Sequence, residues 1–398
     1  MSLQPHEQPA LRIAGLFAGI GGIELGLHQA GHTTSLLCEI DEGACRVLEE
    51  HFPEVAIMRD VRELGDLPEV DLVAAGFPCQ DLSQAGQTAG ISGRNSGLVG
   101  EVFRLMADEA SSVRWLLLEN VPFMLQLGRG RAMRFITESL EELGFTWAYR
   151  VVDTRSFGLP QRRKRVVLLA SRTDDPRPVL FGEDAGEPRA PVERRQTAYG
   201  FYWTEGVRGL GWAIDAIPTL KGGSTVGIPS PPAIWLPDDD AVVLPDIRDA
   251  ERLQGFPADW TESAVSGGRV RQGHRWKLVG NAVSVPLARW IGERLNAPSD
   301  YDAAREEPLE PMSAWPKAAW GSSGANYRVD VSEWPTHRPA PHLVDFLSYP
   351  TKPLSVRATE GFLRRTQVSS LRFPEGFLDS VRRHLEQMEA PTLFAVSR

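Results

Sequence analysis

Residues 11–39 read LRIAGLFAGIGGIELGLHQAGHTTSLLCE. An apolar run at 11–17 passes into a turn carrying Gly19, Gly21 and Gly22. An amphipathic stretch follows, then a second apolar run that ends on Glu39. Strand, glycine turn, helix and strand in that order open a βαβ unit. The glycines let a ligand approach main-chain N–H groups at a helix start. A carboxylate 20 positions beyond Gly19 stands where ribose hydroxyls would be held. The pair points to a cofactor of the adenosine type, although a plain tight turn and a solvated glutamate would read the same way.

The pattern continues along the chain. Apolar runs recur at 33–38, 70–75, 113–119, 146–152 and 165–170, with helix candidates between them at 22–30, 42–50, 98–110 and 131–143. This alternation predicts an α/β fold, a doubly wound parallel sheet occupying 1–171. From 172 to 246 the texture turns Pro-, Gly- and acid-rich, which suggests a small irregular second domain. Helical pattern resumes at 246–256 and 283–296, expected to return to the first domain over 247–296. The remainder, 297–398, is a C-terminal extension of open role that closes on the amphipathic segment FLDSVRRHLEQM at 377–388.

Bulk properties narrow the class. With 398 residues and 42% hydrophobic content the chain can bury a sizeable core. No apolar run approaches the roughly 20 residues of a membrane span, and the N-terminus lacks a signal-peptide pattern, so a cytoplasmic protein is expected. Three cysteines, Cys38, Cys45 and Cys79, make neither a disulfide framework nor a paired zinc motif, and no metal is expected. A net charge of −9 argues mildly against nucleic acid. Two local runs argue the other way: seven cations against Asp153 within 150–172, and Arg269, Arg271, His274, Arg275 and Lys277 without an acid. Such runs are more often solvated surface than phosphate sites.

In open α/β sheets ligands bind beyond the C-terminal ends of the strands. After the third apolar run stands Gly76-Phe77-Pro78-Cys79-Gln80, and after the fourth Glu119-Asn120-Val121. Gln161-Arg162-Arg163-Lys164-Arg165 leads into the last. A lone cysteine after a strand is usually a buried spectator. Here a thiol, a carboxyl group and guanidiniums converge on one edge, a constellation suited to attack on an electron-poor ring.

The order FAGIGG, E-x-D, GFPCQ, ENV, QRRKR, RLQGFP and GNAV, from residue 16 to about 291, resembles the C5-cytosine DNA methyltransferase family. The resemblance implies a Rossmann-like domain dependent on S-adenosyl-L-methionine, with a variable target-recognition region at about 172–246. It implies Cys79 as the nucleophile at cytosine C6, Glu119 at N3, and Arg165 with Arg163 at O2. For the cofactor it carries over Phe17, Ala18, Gly19, Ile20, Gly21 and Gly22, Glu39 at the ribose, and Asp60 at the adenine amino group. Ile40 and Val61 would pack the ring, Pro78 would set the cysteine beside the methyl, and Asn281 and Val283 would close the site. Val61 and Val283 read equally well as plain core.

The reactive edge of cytosine is inaccessible inside a duplex, so double-stranded DNA as partner implies a flipped base. The loop 80–97 fits a lid over it, with Gln80 and Ser83 in reach. Arg162 and the Thr219-Leu220 pair in PTLKGG (218–223) would meet the DNA, and base readout is expected in the loop holding Trp203 and Arg208. A monomer paired with a restriction or defence system is the expected context. A transfer-RNA methyltransferase of the same fold is the nearest rival. That branch carries a Cys-Phe-Thr signature, whereas this chain has no cysteine after Cys79. A catalytically silent DNA-binding regulator would not need Cys79, Glu119 and Arg165 together. A nicotinamide dehydrogenase would leave GFPCQ, ENV and QRRKR without purpose.

Overall fold

The computed structural model describes residues 10–77, 97–107, 113–188, 197–222, 231–266, 268, 271–310 and 312–390. Its first half is built on strands β1 (Arg12–Leu16), β2 (Thr33–Cys38), β3 (Ala56–Met58), β4 (Leu72–Ala75), β5 (Trp115–Asn120), β6 (Thr146–Asp153) and β7 (Lys164–Ser171). They lie in the order β3-β2-β1-β4-β5-β7-β6, so the chain order reverses between β1 and β4. The five strands β1 to β5 pair in parallel, but β7 runs antiparallel to both β5 and β6. The sheet is therefore mixed rather than parallel throughout. The connection 154–163 is shorter than the dozen or so residues a parallel crossover needs, which forces the reversal.

Alternate residues of each strand feed two cores, and this double burial is why the strands read as apolar runs. Ala14, Leu16, Val73, Leu116 and Leu168 face helices α3 (Gly97–Met106) and α4 (Arg131–Glu142). Ile13, Leu72, Leu117 and Leu169 face α1 (Gly22–Gln29) and α8 (Val285–Asn296). The α1–α8 contact depends on two glycines four residues apart. A Cβ on Gly22 would stand 2.3 Å from the Val283 carbonyl oxygen, and one on Gly26 would stand 2.5 Å from that of Val285. Close backbone approach of this kind admits no side chain, and it brings α8 back to the glycine turn.

A second sheet is assembled from β8 (Tyr199–Phe201), β9 (Ala213–Ile214), β10 (Ala233–Leu236) and β11 (Ala241–Leu244), all antiparallel in the order β9-β8-β10-β11. Between the two sheets run α2 (Glu42–His51), α6 (Ile247–Leu253) and α7 (Gly273–Asn281). Their apolar faces share one core with Ile217, Leu220, Ile234 and Val243.

The segment after 297 serves both sheets. Strands β12 (Glu306–Pro308), β13 (Ala318–Ser322) and β14 (Ala325–Val329) extend the central sheet beyond β6, with β13 antiparallel to β6. The chain then crosses over and adds β15 (Lys352–Pro353) to the free edge of β11. Helices α10 (Val356–Gln367) and α11 (Phe377–Glu389) close the second sheet by burying Phe362, Phe377 and Val381 against Phe201, Trp235 and Val242. The expected helix at 377–388 is present. The strands at 306–329 were not legible, because they are short, partly exposed and interrupted by a turn at Ser323-Gly324. Among the described residues no helix is long and apolar enough to cross a membrane.

Candidate active site

The glycine turn leaves β1 with Phe17 and Gly19 in the left-handed region, at φ 55° and 57°, and Gly21 enters α1 at φ 81°. Three hydrogen bonds set its shape. Ala18 N–H donates to the Cys38 carbonyl at 3.1 Å, Gly21 N–H donates to that of Ala18 at 2.9 Å, and the Trp260 indole N–H donates to that of Ile20 at 2.8 Å. Glu39, at the end of β2, accepts from Gly19 N–H at 2.7 Å through one oxygen and from Asp41 N–H at 2.8 Å through the other. It therefore ties the glycine turn to the start of α2. Ile40 beside it is 68% exposed, a bare apolar surface next to a carboxylate, while Val61 is buried. Asp60 accepts from Arg62 N–H at 3.0 Å and pairs with the Arg62 side chain, which lowers its pKa to about 2.

On the other side of the sheet's reversal point, Glu119 and Arg165 form an almost buried ion pair, with Glu119 Oε1 2.8 Å from Arg165 Nε. A Cβ on Gly76 would lie 3.7 Å from Glu119 Oε2 and 3.8 Å from a Val283 methyl. The end of β4, the carboxyl of β5 and the loop before α8 thus meet at one point. Asn120 Nδ2 donates to the Phe77 carbonyl at 3.0 Å, fixing the backbone two positions before Cys79. Pro78, Cys79, Gln80 and Ser83 lie outside the described residues. Burial raises the thiol pKa of Cys38 and of Cys45 to about 11, so neither offers a thiolate near neutrality.

Arg163 is placed differently from Arg165. It is fully buried and donates from Nη1 to the carbonyls of Leu220 at 3.2 Å and Gly280 at 3.3 Å, and from Nη2 to that of Ala282 at 2.6 Å. A clamp of this kind joins the Thr219-Leu220 pair to the GNAV segment. Gln161 works beside it, accepting from Leu220 N–H at 3.0 Å and donating to the Leu253 carbonyl at 2.8 Å. Gln254 donates to the Val279 carbonyl at 2.9 Å and accepts from Ser284 Oγ at 2.8 Å. Asn120, Gln161, Gln254 and Trp260 escaped the reading of the sequence as site residues. The first three stand inside quoted motif blocks, which was the available signal.

Arg162 keeps its carbonyl bonded to Thr219 Oγ1 at 2.9 Å. Asn281 is exposed at the end of α7. Trp203 turns its ring inward, donating from Nε1 to the Pro231 carbonyl at 2.9 Å, while Arg208 is exposed on the adjoining loop. The first basic run is partly internal, with Arg150, Arg163 and Arg165 buried, whereas in the second Arg275 is buried and Arg271 and Lys277 are exposed. Arg150 pairs with Asp184, Lys164 with Glu333, Arg275 with Glu251 and Lys277 with Asp41. Those acids explain how a chain with a net charge of −9 accommodates such clusters.

Glu24, buried in the first turn of α1, lies against Gly15 and has no hydrogen-bond partner for Oε2 among the described residues. Burial, aided by the charge of Glu39, raises its pKa from 4.5 to about 7. The folded state therefore holds this proton more tightly than the unfolded chain does. The contribution of Glu24 to stability is fully present below pH 4.5 and is lost as pH rises towards 7, by up to about 3 kcal/mol. Glu24→Gln removes the ionisation, so its melting temperature is expected to exceed that of the wild type at pH 8 and to match it at pH 4. Melting curves with the same pH dependence in both proteins would contradict this.

The comparisons with known proteins agree with this geometry. Residues 11–200 match the family described as C-5 cytosine-specific DNA methylase. The Type II methyltransferase M2.BsuMI of Bacillus subtilis (strain 168) is 51% identical over 381 residues, spanning 94% of this chain and 98% of its own. The Type II methyltransferase M.NgoBI of Neisseria gonorrhoeae is 30% identical over 68% of this chain and 89% of its own. The fold is shared with the S. pombe Dnmt2 methyltransferase, at a TM-score of 0.53 and 18% identity over 72% of this chain and 98% of the other. With a relative more than half identical along nearly its whole length, and the glycine turn, the Glu119–Arg165 pair and the Asn120-anchored loop on one sheet edge, this chain belongs to the C-5 cytosine-specific DNA methylase family and is a DNA (cytosine-5-)-methyltransferase.

Proposed function

We propose that this enzyme methylates a cytosine flipped out of double-stranded DNA by way of a covalent bond to Cys79. The observation that carries the reading is the meeting of Gly76, the Glu119–Arg165 pair and the Asn120-held Phe77 carbonyl immediately before the cysteine. Carbon 5 of cytosine is a weak nucleophile until the ring's aromaticity is broken. Cys79, as thiolate, adds to C6 and forms a C–S bond, pushing electrons towards N3 and O2. Glu119 supplies a proton or hydrogen bond at N3, and Arg165 stabilises the developing charge at O2. Arg163 holds the Thr219-Leu220 pair and the GNAV segment around them. Carbon 5, now nucleophilic, takes up the methyl group, and loss of the C5 proton, with the electron pair it leaves behind expelling Cys79 from C6, then restores the ring.

S-adenosyl-L-methionine, when bound, supplies an electrophilic sulfonium methyl. The chain has features that suit it: main-chain N–H groups at the glycine turn, a carboxylate at Glu39 for the ribose, exposed Ile40 for the adenine face, and Asp60 for its amino group. Phe17, Pro78, Val61, Asn281 and Val283 complete the cofactor side. Gln80, Ser83, Arg162, Arg208 and Thr219 are assigned to the DNA, with Leu220 and Trp203 supporting that surface. The names of the two type II relatives support a role as the modification partner of a restriction system. We propose, beyond what those names say, a monomer acting in the cytoplasm, with phage defence as the benefit.

Bisulfite sequencing of DNA from cells expressing the protein tests the reading, with protected cytosines at one recurring sequence as the expected result. In parallel, Glu39→Ala and Asp60→Ala are expected to weaken S-adenosyl-L-methionine binding by calorimetry, each on the order of tenfold or more. No protected cytosine from an expressed, folded protein would refute the activity. Unchanged affinity in both variants would refute the cofactor assignment.

A further inference from the structure

We propose that helix α10 is a working part of target recognition, and that Arg365 is the residue that positions the loop 203–208 against DNA. The inference rests on the DNA-methylating function proposed above and assigns a role to a segment far in sequence from the recognition region. The loop is closed at its base by Tyr202 N–H donating to the Leu210 carbonyl at 2.8 Å and by Gly206 N–H donating to that of Gly209 at 2.9 Å. On one side it joins the catalytic edge. The Tyr202 hydroxyl donates to the Thr219 carbonyl at 2.8 Å, and Lys221 pairs with Glu205 while lying 3.6 Å from the Tyr202 ring centre. The next carbonyl along the chain, that of Leu220, is one of those Arg163 holds.

On its other side the loop lies on α10. Arg365 donates from Nε to the Glu205 carbonyl at 2.9 Å and from Nη2 to the Trp203 carbonyl at 2.6 Å. Ser369 Oγ donates to the Val207 carbonyl at 3.1 Å. Gly206, at φ 113°, sits so close to Phe362 that a Cβ would be 3.1 Å from its ring. Three successive odd-numbered carbonyls of a surface loop are thus bonded by one helix and the turn after it. Without such bonds a loop of this length samples many conformations, and ordering it would oppose DNA binding. What the clamp presents to solvent is Val207 and Arg208, with Arg208 in no ion pair among the described residues. Among the described residues Arg365 is in no ion pair, and its two donors fit the loop's backbone as a fork.

The test uses the full-length enzyme, S-adenosyl-L-methionine and a duplex carrying the site identified by bisulfite sequencing. Arg365→Ala is expected to raise KM for that duplex on the order of tenfold, while kcat at saturating DNA and cofactor affinity stay within about twofold. Arg365→Lys, which keeps the charge and can make one of the two bonds, is expected to fall between. Should Arg365→Ala fail to fold, Ser369→Ala removes a single bond from the same clamp and is expected to raise KM by a factor of about three. An unchanged KM in the folded variants overturns the proposal. So does a fall in kcat and cofactor affinity equal to the change in KM, which would mean general loss of structure. A wild-type enzyme that leaves DNA unmethylated overturns the function itself, and this inference with it.

Discussion

A duplex carrying 5-fluorocytosine at the target position is expected to trap the wild-type enzyme in a complex that survives denaturing electrophoresis and forms only when S-adenosyl-L-methionine is present. The reason is electronic. On the proposed covalent route, release of Cys79 by β-elimination would require loss of a proton from C5, and fluorine cannot depart as a cation. Cys79→Ala removes the atom that bonds to C6, so both trapping and methylation should disappear, with the rate falling by 10⁴-fold or more, on the order of the loss of other catalytic nucleophiles. Cys38→Ala and Cys45→Ala should still trap, because both thiols are buried and burial raises their pKa to about 11. Glu119→Gln keeps the shape but offers no proton to N3, and Arg165→Ala removes the charge opposite O2, so each should slow adduct formation by about 10²- to 10³-fold. Methylation by Cys79→Ala, or a methylating wild type that never traps, would defeat the covalent route.

Truncation after residue 297 is expected to give an insoluble or unfolded protein. The deleted part contributes Ala318, Ala319 and Val329 to the cores of the central sheet, and Leu354, Phe362, Phe377 and Val381 to the core of the second. It also supplies partners for buried polar groups. Trp235 Nε1 donates to Ser380 Oγ at 2.8 Å, and Val242 N–H donates to His384 Nδ1 at 3.3 Å. Losing a single buried phenylalanine side chain costs about 3–5 kcal/mol, and whole domains are stable by only about 5–15 kcal/mol, so the sum exceeds what the fold can lose. Phe377→Ala is the graded version. It meets Phe201, Trp212, Trp235 and Phe362 edge-on or tilted with ring centres 5.0–6.0 Å apart, and its truncation should lower stability by about 3–5 kcal/mol in denaturant titration. A soluble 1–297 fragment as stable and active as the full chain would show that the C-terminal segment is dispensable to both sheets.

The legible parts of this protein share a property: their signal is local. Doubly buried strands such as LVAA at 72–75 and WLLLEN at 115–120 are apolar on both faces, and amphipathic helices such as 131–142 carry their own period. Glycines at positive φ and the acids after strands stand beside the elements they terminate. Less local features were lost. The reversal of β7 depends on a connection length, the edge strand β3 is only three residues long, and helix α7 carries the motif GN at its end but little amphipathic pattern. Arg163 and Arg165 look alike in QRRKR, yet one is a buried clamp on three carbonyls and the other an ion-pair partner of Glu119. Alternation along an extended strand sends them to the same side, and only the groups that pack there distinguish them.

The amino-acid sequence by itself determined the α/β class and which polar and glycine residues follow the strands, because strand and helix periodicity, glycine turns and residue chemistry act within a few positions. The tertiary structure alone decided which of those groups meet: that Glu119 faces Gly76 and Val283, that Gln161 and Gln254 bind the motif blocks together, and that a segment some 150 residues beyond the loop 203–208 extends the neighbouring sheet and holds the loop's carbonyls. Pairings at such separations follow from how two cores close around each other, and no local pattern encodes that closure.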